Sequence, residues 1–495
     1  MRGSESSSDV LKKVQAPAAV LWAAVLCAVL LAQTYVRAQR PNGIDLTSYL
    51  LSSDVLRHGG SPYLLPTPFP YLYPATLAFL LIPLTFVPAT VAVIIWFAFS
   101  VAAATWSIRS VVLNARPDLE ARSADLALFL AVFFTFFFTI AQSNLRNGQV
   151  NFLVLVLCVS AALSHARGGA EERQTDRKGG AAPAAMPGPP ARQPRWGGVP
   201  GPPARQPRRG GVPSGLPRGI SDNSRRLGGV PNAAAALGCP WGPGASEKKL
   251  AGKRAGLVGA SSLCWSLAIA LKLVPLILLP FFALRRSWRW MIVSVFLIVA
   301  WCLLPAVVVG TRIVDIYEQY WRVFLATSFA PRVQPLDFSL AGTIARITSA
   351  PLTPMLEASG AAVVLGWIIA VDGRRLRVET VRPLALYLLA IPLVSPQSEV
   401  HHLAFMLPAA AIVAGALWWD TRRVGRTQQL SAATAAMLYL AATATPLFSG
   451  PLFCASLIAV GVALMNVSPP GRLKPATTET KNDDGAPKVS GGVRL

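Results

Sequence analysis

Long apolar runs dictate what this chain can become. Runs of roughly 18 residues or more with few charges recur along it, and each is long enough to cross a bilayer as a helix. Of the 495 residues, 53% are hydrophobic and only 14% are charged. That is too little charge to cover the surface of a soluble protein of this length. The expected fold class is an all-α polytopic membrane protein. The first run, Pro17 to Val36, follows Lys12 and Lys13, outlasts a signal-peptide core and lacks a convincing cleavage site. It reads as a retained helix with the N-terminus in the cytoplasm.

Candidate helices cover 17–36, 71–87, 90–112, 125–142, 150–166, 256–284, 289–309, 352–371, 381–395, 403–419, 429–446 and 449–465. About 12 crossings would leave both termini in the cytoplasm. In the later half, the Arg clusters at 285–289, 374–377 and 422–426 fall on one side, and the loops 310–350 and 396–402 on the other. A strict count puts the basic stretch 167–254 outside, yet its flanks favour the cytoplasm: His165-Ala166-Arg167 and Lys248, Lys249, Lys253, Arg254. Splitting 256–284 near Lys272 and Pro275, with one early helix failing to cross, reconciles the two. The expected parts are a transmembrane part over 1–166 with a first extracytoplasmic loop at 37–70, an insert at 167–254, a second transmembrane part over 255–466, and a disordered tail at 467–495.

The insert carries sixteen Lys or Arg against five Asp or Glu, a large share of the formal net charge of +23. It also holds a tandem 13-residue repeat, Gly188 to Pro200 and Gly201 to Pro213, whose copies differ only at Trp196 and Arg209. Gly, Pro, Ala and Arg cannot bury enough apolar area to offset the ordering entropy, so disorder is expected. Contact with anionic lipid is one reading of its charge; an expansion without a role in catalysis is the other. No basic fold interleaved with aromatics is present, so nucleic acid is not an expected partner. The six cysteines stand singly, with no CxxC or metal spacing, and read as small apolar packing residues.

Polar residues are costly near a bilayer, so their gathering into three loops is informative. The first loop holds Asp45, Tyr49, Asp54, Arg57, His58, Tyr63, Tyr71 and Tyr73. Apolar residues from Ile44 to Leu56 recur at helical spacing and predict an interfacial helix after the first span. Asp45 and Tyr49 are four apart and share one face. Asp45 either caps that helix or acts as a base. The second loop mixes Arg312, Asp315, Tyr317, Tyr320, Trp321 and Arg322, which suits sugar stacking and phosphate pairing, or an ordinary interfacial belt. The third, Ser395 to His402, places Glu399 beside His401 and His402. These could start an interfacial helix, bind a substrate phosphate or hydroxyl, or hold a metal, although no HExxH-type spacing exists. Two interruptions of apolar sequence add to these. One is Asn147-Gly148-Gln149-Val150-Asn151, where Gly allows close backbone approach while Gln149 and Asn151 need partners. The other is Lys272, either pairing a lipid phosphate or snorkelling to the interface.

Taken in order, these motifs resemble the polyprenol-phosphate-mannose-dependent mannosyltransferases, glycosyltransferase family 87, which have the GT-C membrane fold. The residues that carry the resemblance are Asp45-Leu46 with Tyr49, Gly60-Ser61-Pro62-Tyr63, Tyr73-Pro74 opening a helix that ends at Pro83-Leu84, Gly148-Gln149-Val150-Asn151, Lys272-Leu273-Val274-Pro275, and Ser395-Pro396 ahead of His401-His402. The resemblance implies that Asp45 is the general base, that the donor is a mannosyl polyprenyl phosphate, that the chemistry faces outward, and that no metal or other cofactor is required. The sequence departs from the family pattern in two places. The aromatic pair after the aspartate is reduced to Ser48-Tyr49, and the basic insert is additional.

The expected function is inverting transfer of mannose from a polyprenyl-phosphate sugar to a lipid or glycan acceptor, in a multi-pass protein of the bacterial cell (inner) membrane. Asp45 is the expected catalytic residue. Tyr49, Tyr63, Tyr73, Gln149, Asn151, Lys272, Arg312, His401 and His402 are the expected substrate contacts, with no metal ligands. The alternative is a transporter or flippase. Transporters usually show internal repeats and broken helices near mid-membrane; here no half-to-half repeat is visible, and the polar residues gather at one interface.

Overall fold

The structure, a computed structural model, describes residues 7–40, 43–65, 70–179, 259–285, 287–328, 337–376, 379–395, 398–420, 424–445 and 449–467. Among these the secondary structure is helical, with no strand. The chain divides into two compact units, residues 1–169 with 255–495, and residues 170–254. The tandem repeat and the tail beyond 467 lie outside the described residues.

The first unit begins with α1 (Ser7–Ala38), α2 (Asp45–Arg57), α3 (Ala75–Leu81) and α4 (Ala89–Ala115). The helix expected over 71–87 starts only at Ala75, because Pro74 holds Tyr73 out of the helical region and fixes an extended lead-in. A tight 3-10 turn over Ile82–Phe86, opened by Pro83, ends it. The run 125–142 is not one helix. It forms α5 (Ser123–Phe136) and α6 (Phe138–Arg146), bent by 75°. At the bend, Phe137 packs against Phe133 and Tyr439, with ring centroids 4.8 and 5.1 Å away.

Next comes α7 (Asn151–Gly179), which continues past the expected end at 166. Ala170 to Gln174 are all good helix formers, and the helix runs through the unfavourable Gly168-Gly169 pair before them. The apolar run 256–284 breaks where Lys272 and Pro275 predict: α8 (Gly259–Leu271) ends, a 3-10 turn spans Val274–Leu278, and α9 (Leu279–Leu284) follows. Pro275 cannot donate into a continuing helix.

The remainder comprises α10 (Trp288–Leu303), α11 (Ala306–Val309), α12 (Ile313–Ser328), α13 (Leu340–Thr348), α14 (Pro354–Val371), α15 (Val381–Val394), α16 (Leu407–Trp419), α17 (Arg426–Ala444) and α18 (Ser449–Met465). Among the described residues, six helices are long and apolar enough to cross a membrane, or seven if the α5–α6 pair is one span; five shorter apolar helices accompany them. Twelve crossings would therefore require every shorter helix to cross as well.

Apolar burial explains the layering. α15 is buried on all sides from Leu384 to Ile391, as befits a helix apolar all round at the centre of a bundle. It packs against α14, α16, α18 and the 3-10 turn Val400–Met406. By contrast, α1 and α10 expose Leu21, Val25, Phe296 and Val299, an outer surface suited to lipid. The central helix ends at Val394, and the turn Val400–Met406 packs against it, so the most buried element positions one wall of the site. At α9, Arg285 makes a bidentate pair with Asp372, at 3.0 and 3.2 Å, and the Asp372 side chain is 1% exposed. The Arg at this turn is therefore a structural tie as well as a topology mark.

Candidate active site

The first wall grows from the start of α2. Ile44 is the residue ahead of the helix, and its N–H donates to Thr47 Oγ1 at 3.2 Å. Asp45 is the first helical residue, and its side chain does not cap its own helix. Its backbone N–H donates to Asn147 O at 2.9 Å, and Gln149 Nε2 donates to its Oδ2. The helix N-terminus still favours a negative charge there.

The partner turn, Asn147–Gly148–Gln149, closes against α2. Gly148 has φ +66°, and a Cβ at that position would stand 2.7 Å from Leu46 Cβ. Both the backbone shape and the close approach demand glycine. Trp96 Nε1 donates to Gly148 O at 3.0 Å, and Gln149 N donates to Asn144 O at 2.9 Å. The polar interruption of the apolar sequence is thus a clamp on the residue that starts α2.

The second wall is cationic. Lys272 sits at the break after α8, with Nζ donating to Asn151 Oδ1 at 2.8 Å and lying 3.1 Å from His402 Nε2. Asn151 Nδ2 donates to His401 O at 3.0 Å and to Asn144 Oδ1 at 3.1 Å. Asn144 Nδ2 also reaches His401 O, at 3.0 Å. Glu399 N donates to His402 Nδ1 at 3.2 Å, and His401 Nδ1 lies 3.4 Å from Glu399 Oε2. Two asparagines therefore hold the histidine segment to α6 and α7.

The third wall is α12, whose Tyr320, Phe324 and Thr327 face the same space. Between the walls lies a cavity of about 450 Å³. Its ionisable lining includes Arg37, Asp45, Lys272, Glu399, His401 and His402, and Leu72, Tyr73, Val274 and Phe324 supply apolar and aromatic surface. Such a mixture of a few polar groups in an apolar recess suits a substrate with both polar and apolar parts.

Burial dominates the electrostatics of the two carboxyls. It pushes the Asp45 carboxyl up to about 6, with Glu399 adding to the rise and Lys272 and Arg37 opposing it. Burial also raises Glu399, against Lys272. A carboxyl near 6 remains mostly ionised at neutral pH and is a better proton acceptor than an ordinary aspartate. Lys272 and His402 cannot both carry full charge at 3.1 Å without strong repulsion.

Of the residues singled out in the sequence, Asp45, Tyr49, Tyr73, Gln149, Lys272, His401 and His402 all line this cavity. Asn151, fully buried, lies behind the lining and holds Lys272. Tyr63 and Arg312 lie outside the lining. The Tyr63 hydroxyl donates to Tyr73 O at 2.8 Å, and Arg312 Nη1 donates to Gly59 O at 2.7 Å, so both support the first loop. Sequence reasoning missed Arg37, Trp96 and Asn144. Arg37 reads as a charge closing a span, although its place eight residues before Asp45 is a usable signal. Among the described residues, no three His, Cys, Asp or Glu side chains converge as a metal site.

A helical membrane protein with a recess that joins a carboxylate, cations and aromatic surface fits one class, the membrane enzyme working on a polar substrate. The profile of glycosyltransferase family 87 matches residues 71–182 and 233–396, more than half of the chain. The chain belongs to glycosyltransferase family 87 and is a membrane glycosyltransferase. This sets aside the transporter alternative. No curated protein matches the chain, and no solved structure does. The matched stretches leave out 183–232, which contain both copies of the repeat, and they begin at Tyr71, beyond Asp45. The case for Asp45 therefore rests on its surroundings.

Proposed function

We propose that the protein transfers mannose, with inversion, from a polyprenyl-phosphate donor to a hydroxyl of a lipid or glycan acceptor on the outer face of a bacterial inner membrane. Asp45 takes the proton of the acceptor hydroxyl as that oxygen attacks the anomeric carbon. The bond from the anomeric carbon to the phosphate oxygen breaks, and the polyprenyl phosphate leaves with the electron pair. Lys272, His401 and His402 face that phosphate and stabilise its developing charge. Tyr320 and Phe324 offer faces on which a sugar ring can stack. Arg312, tied to Gly59 O outside the cavity, has no part in this scheme.

The observation that carries the reading is the placing of Asp45 in one 450 Å³ recess with Lys272 and the histidine pair. A base and a leaving-group cradle on facing walls are what an inverting displacement needs. The basic insert and the tail have no assigned step.

The test uses purified protein in lipid nanodiscs, with polyprenyl-phosphate-linked, radiolabelled mannose and a membrane lipid extract as acceptor. The expected result is labelled product with inverted anomeric configuration. Retained configuration, or use of a sugar nucleotide in place of the polyprenyl donor, would defeat the proposal.

A further inference from the structure

A carboxylate base works best when one oxygen is held and the other faces the substrate. Asp45 meets the first condition through Gln149, and Gln149 is itself controlled. The Tyr49 hydroxyl lies 2.9 Å from the Tyr73 hydroxyl, and the Tyr73 hydroxyl lies 3.3 Å from Gln149 Oε1. Gln149 Nε2 then reaches Asp45 Oδ2. Four side chains from three separate stretches of chain thus form one line.

Only one direction of donation satisfies that line when Asp45 is ionised. A carboxylate accepts and cannot donate, so Gln149 must turn its amide NH₂ toward Asp45. Its carbonyl oxygen then faces Tyr73 and takes the single Tyr73 proton. Tyr73 is left as an acceptor and is filled by Tyr49. Reversing the line requires a proton on Asp45. Tyr49 and Gln149 are 2% and 5% exposed, and Tyr73 between them is half-buried. Packing holds the rings in register: Tyr49 and Tyr73 meet edge-to-face at 5.0 Å, and Trp96 lies 6.4 Å from Tyr49.

We propose that Tyr49, Tyr73 and Gln149 form an orienting relay that holds Asp45 ionised with its second oxygen aimed at the acceptor, and that they are positioning residues rather than contacts for the sugar. The inference rests on Asp45 being the base. Other groups also face Asp45: Arg37 from α1, Lys272 from the break after α8, and Glu399 from the segment before the histidines, with His401 and His402 on the same cavity. None of them is changed by removing a tyrosine hydroxyl.

Tyr73→Phe frees the Gln149 amide to turn its carbonyl toward Asp45, which favours the protonated acid. The acid limb of the kcat profile should then move up by about one pH unit, while KM for the polyprenyl-linked donor stays within about twofold of the parent. Gln149→Met should shift it in the same direction, and Tyr49→Phe less. An unmoved limb with a donor KM raised about tenfold would overturn the relay and make these residues substrate contacts. Thermal melting in nanodiscs accompanies each variant; should Tyr73→Phe not fold, Gln149→Met carries the same test with both rings intact. Asp45→Asn separates the two failures. Substantial turnover by that variant would overturn the base itself, and the relay with it. Inactive Asp45→Asn beside an unmoved Tyr73→Phe limb would overturn the relay alone.

Discussion

Lys272 and His402 meet nitrogen to nitrogen at 3.1 Å, although 130 residues separate them in the chain. The contact exists because α8 breaks at Lys272 and because Asn144 and Asn151 hold the backbone at His401. The Glu399 N–H donates to His402 Nδ1, so the neutral ring carries its proton on Nε2, the nitrogen that faces Lys272. A helix break and a 3-10 turn thereby bring the lysine and the histidine together in the recess that Asp45 also lines.

Asp45→Asn should abolish transfer while the protein stays folded. Removal of a general base typically costs about 10²- to 10⁴-fold in rate, measured here as product formed by purified protein. Stability supplies an independent check. The carboxyl is raised to about 6 in the fold, so ionising it opposes folding. Its contribution is favourable below the ordinary carboxyl range and is lost as pH rises through about 6. Asparagine escapes that penalty, and the variant should melt at or above the parent temperature at neutral pH. An active variant, or one that melts well below the parent, would contradict the assignment.

For the parent enzyme, the same direction fixes the pH profile. A base must be ionised, so kcat/KM should rise with pH through about 6 and level off above it. An acid limb near the ordinary aspartate value would mean that Asp45 is more hydrated in the working enzyme than its burial implies.

Gly148→Ala should loosen the clamp on Asp45. The residue has φ +66°, and the added methyl would stand 2.7 Å from Leu46 Cβ. A side chain in that backbone region costs about 1–2 kcal/mol before any clash is counted. Expected outcomes are a lower melting temperature and a kcat that falls more than donor KM changes. Parent-like kcat would show that the turn does not control Asp45.

How much of this was readable beforehand follows from the kind of signal each residue gives. Asp45, Gly148, Gln149 and Lys272 each interrupt an apolar pattern, and an interruption is visible in one dimension. The break at Lys272 was legible because Pro275 forbids a continuous helix. Arg37 was not, since a basic residue closing a span looks like a topology mark. Asn144 and Trp96 act through tertiary contacts that leave no local pattern. The bend at Phe137 has neither Pro nor Gly to announce it; three aromatic rings seat it instead. Tyr63 and Arg312 looked like site residues because they share the loops of true lining residues, yet their polar atoms are used on the Tyr73 and Gly59 carbonyls.

Deleting the insert should leave catalysis intact. The family profile passes over 183–232, and the composition there cannot support a packed core. With residues 183–232 replaced by a short Gly/Ser linker, turnover in membranes should stay within about twofold of the parent. A folded deletion protein without activity would assign the insert a direct role.

Lys272→Met should weaken catalysis through the leaving phosphate, with a loss of about 10²- to 10³-fold expected for a preorganised charge contact. Lys272→Arg should not restore it, because Asn151 Oδ1 and His402 Nε2 lie 2.8 and 3.1 Å from one compact nitrogen, a geometry that a planar fork does not reproduce. Divalent metal should not substitute for the lysine either. His402 has one ring nitrogen on Glu399 N–H and the other against Lys272, and one Asp45 oxygen is taken by Gln149. With both His402 ring nitrogens and one Asp45 oxygen engaged in this way, activity should survive EDTA. His401→Ala and His402→Ala should slow transfer more than they lower the melting temperature. Full inactivation by EDTA with rescue by Mg²⁺ or Mn²⁺ would overturn this scheme, since the site would then have to open its hydrogen bonds to accept the ion.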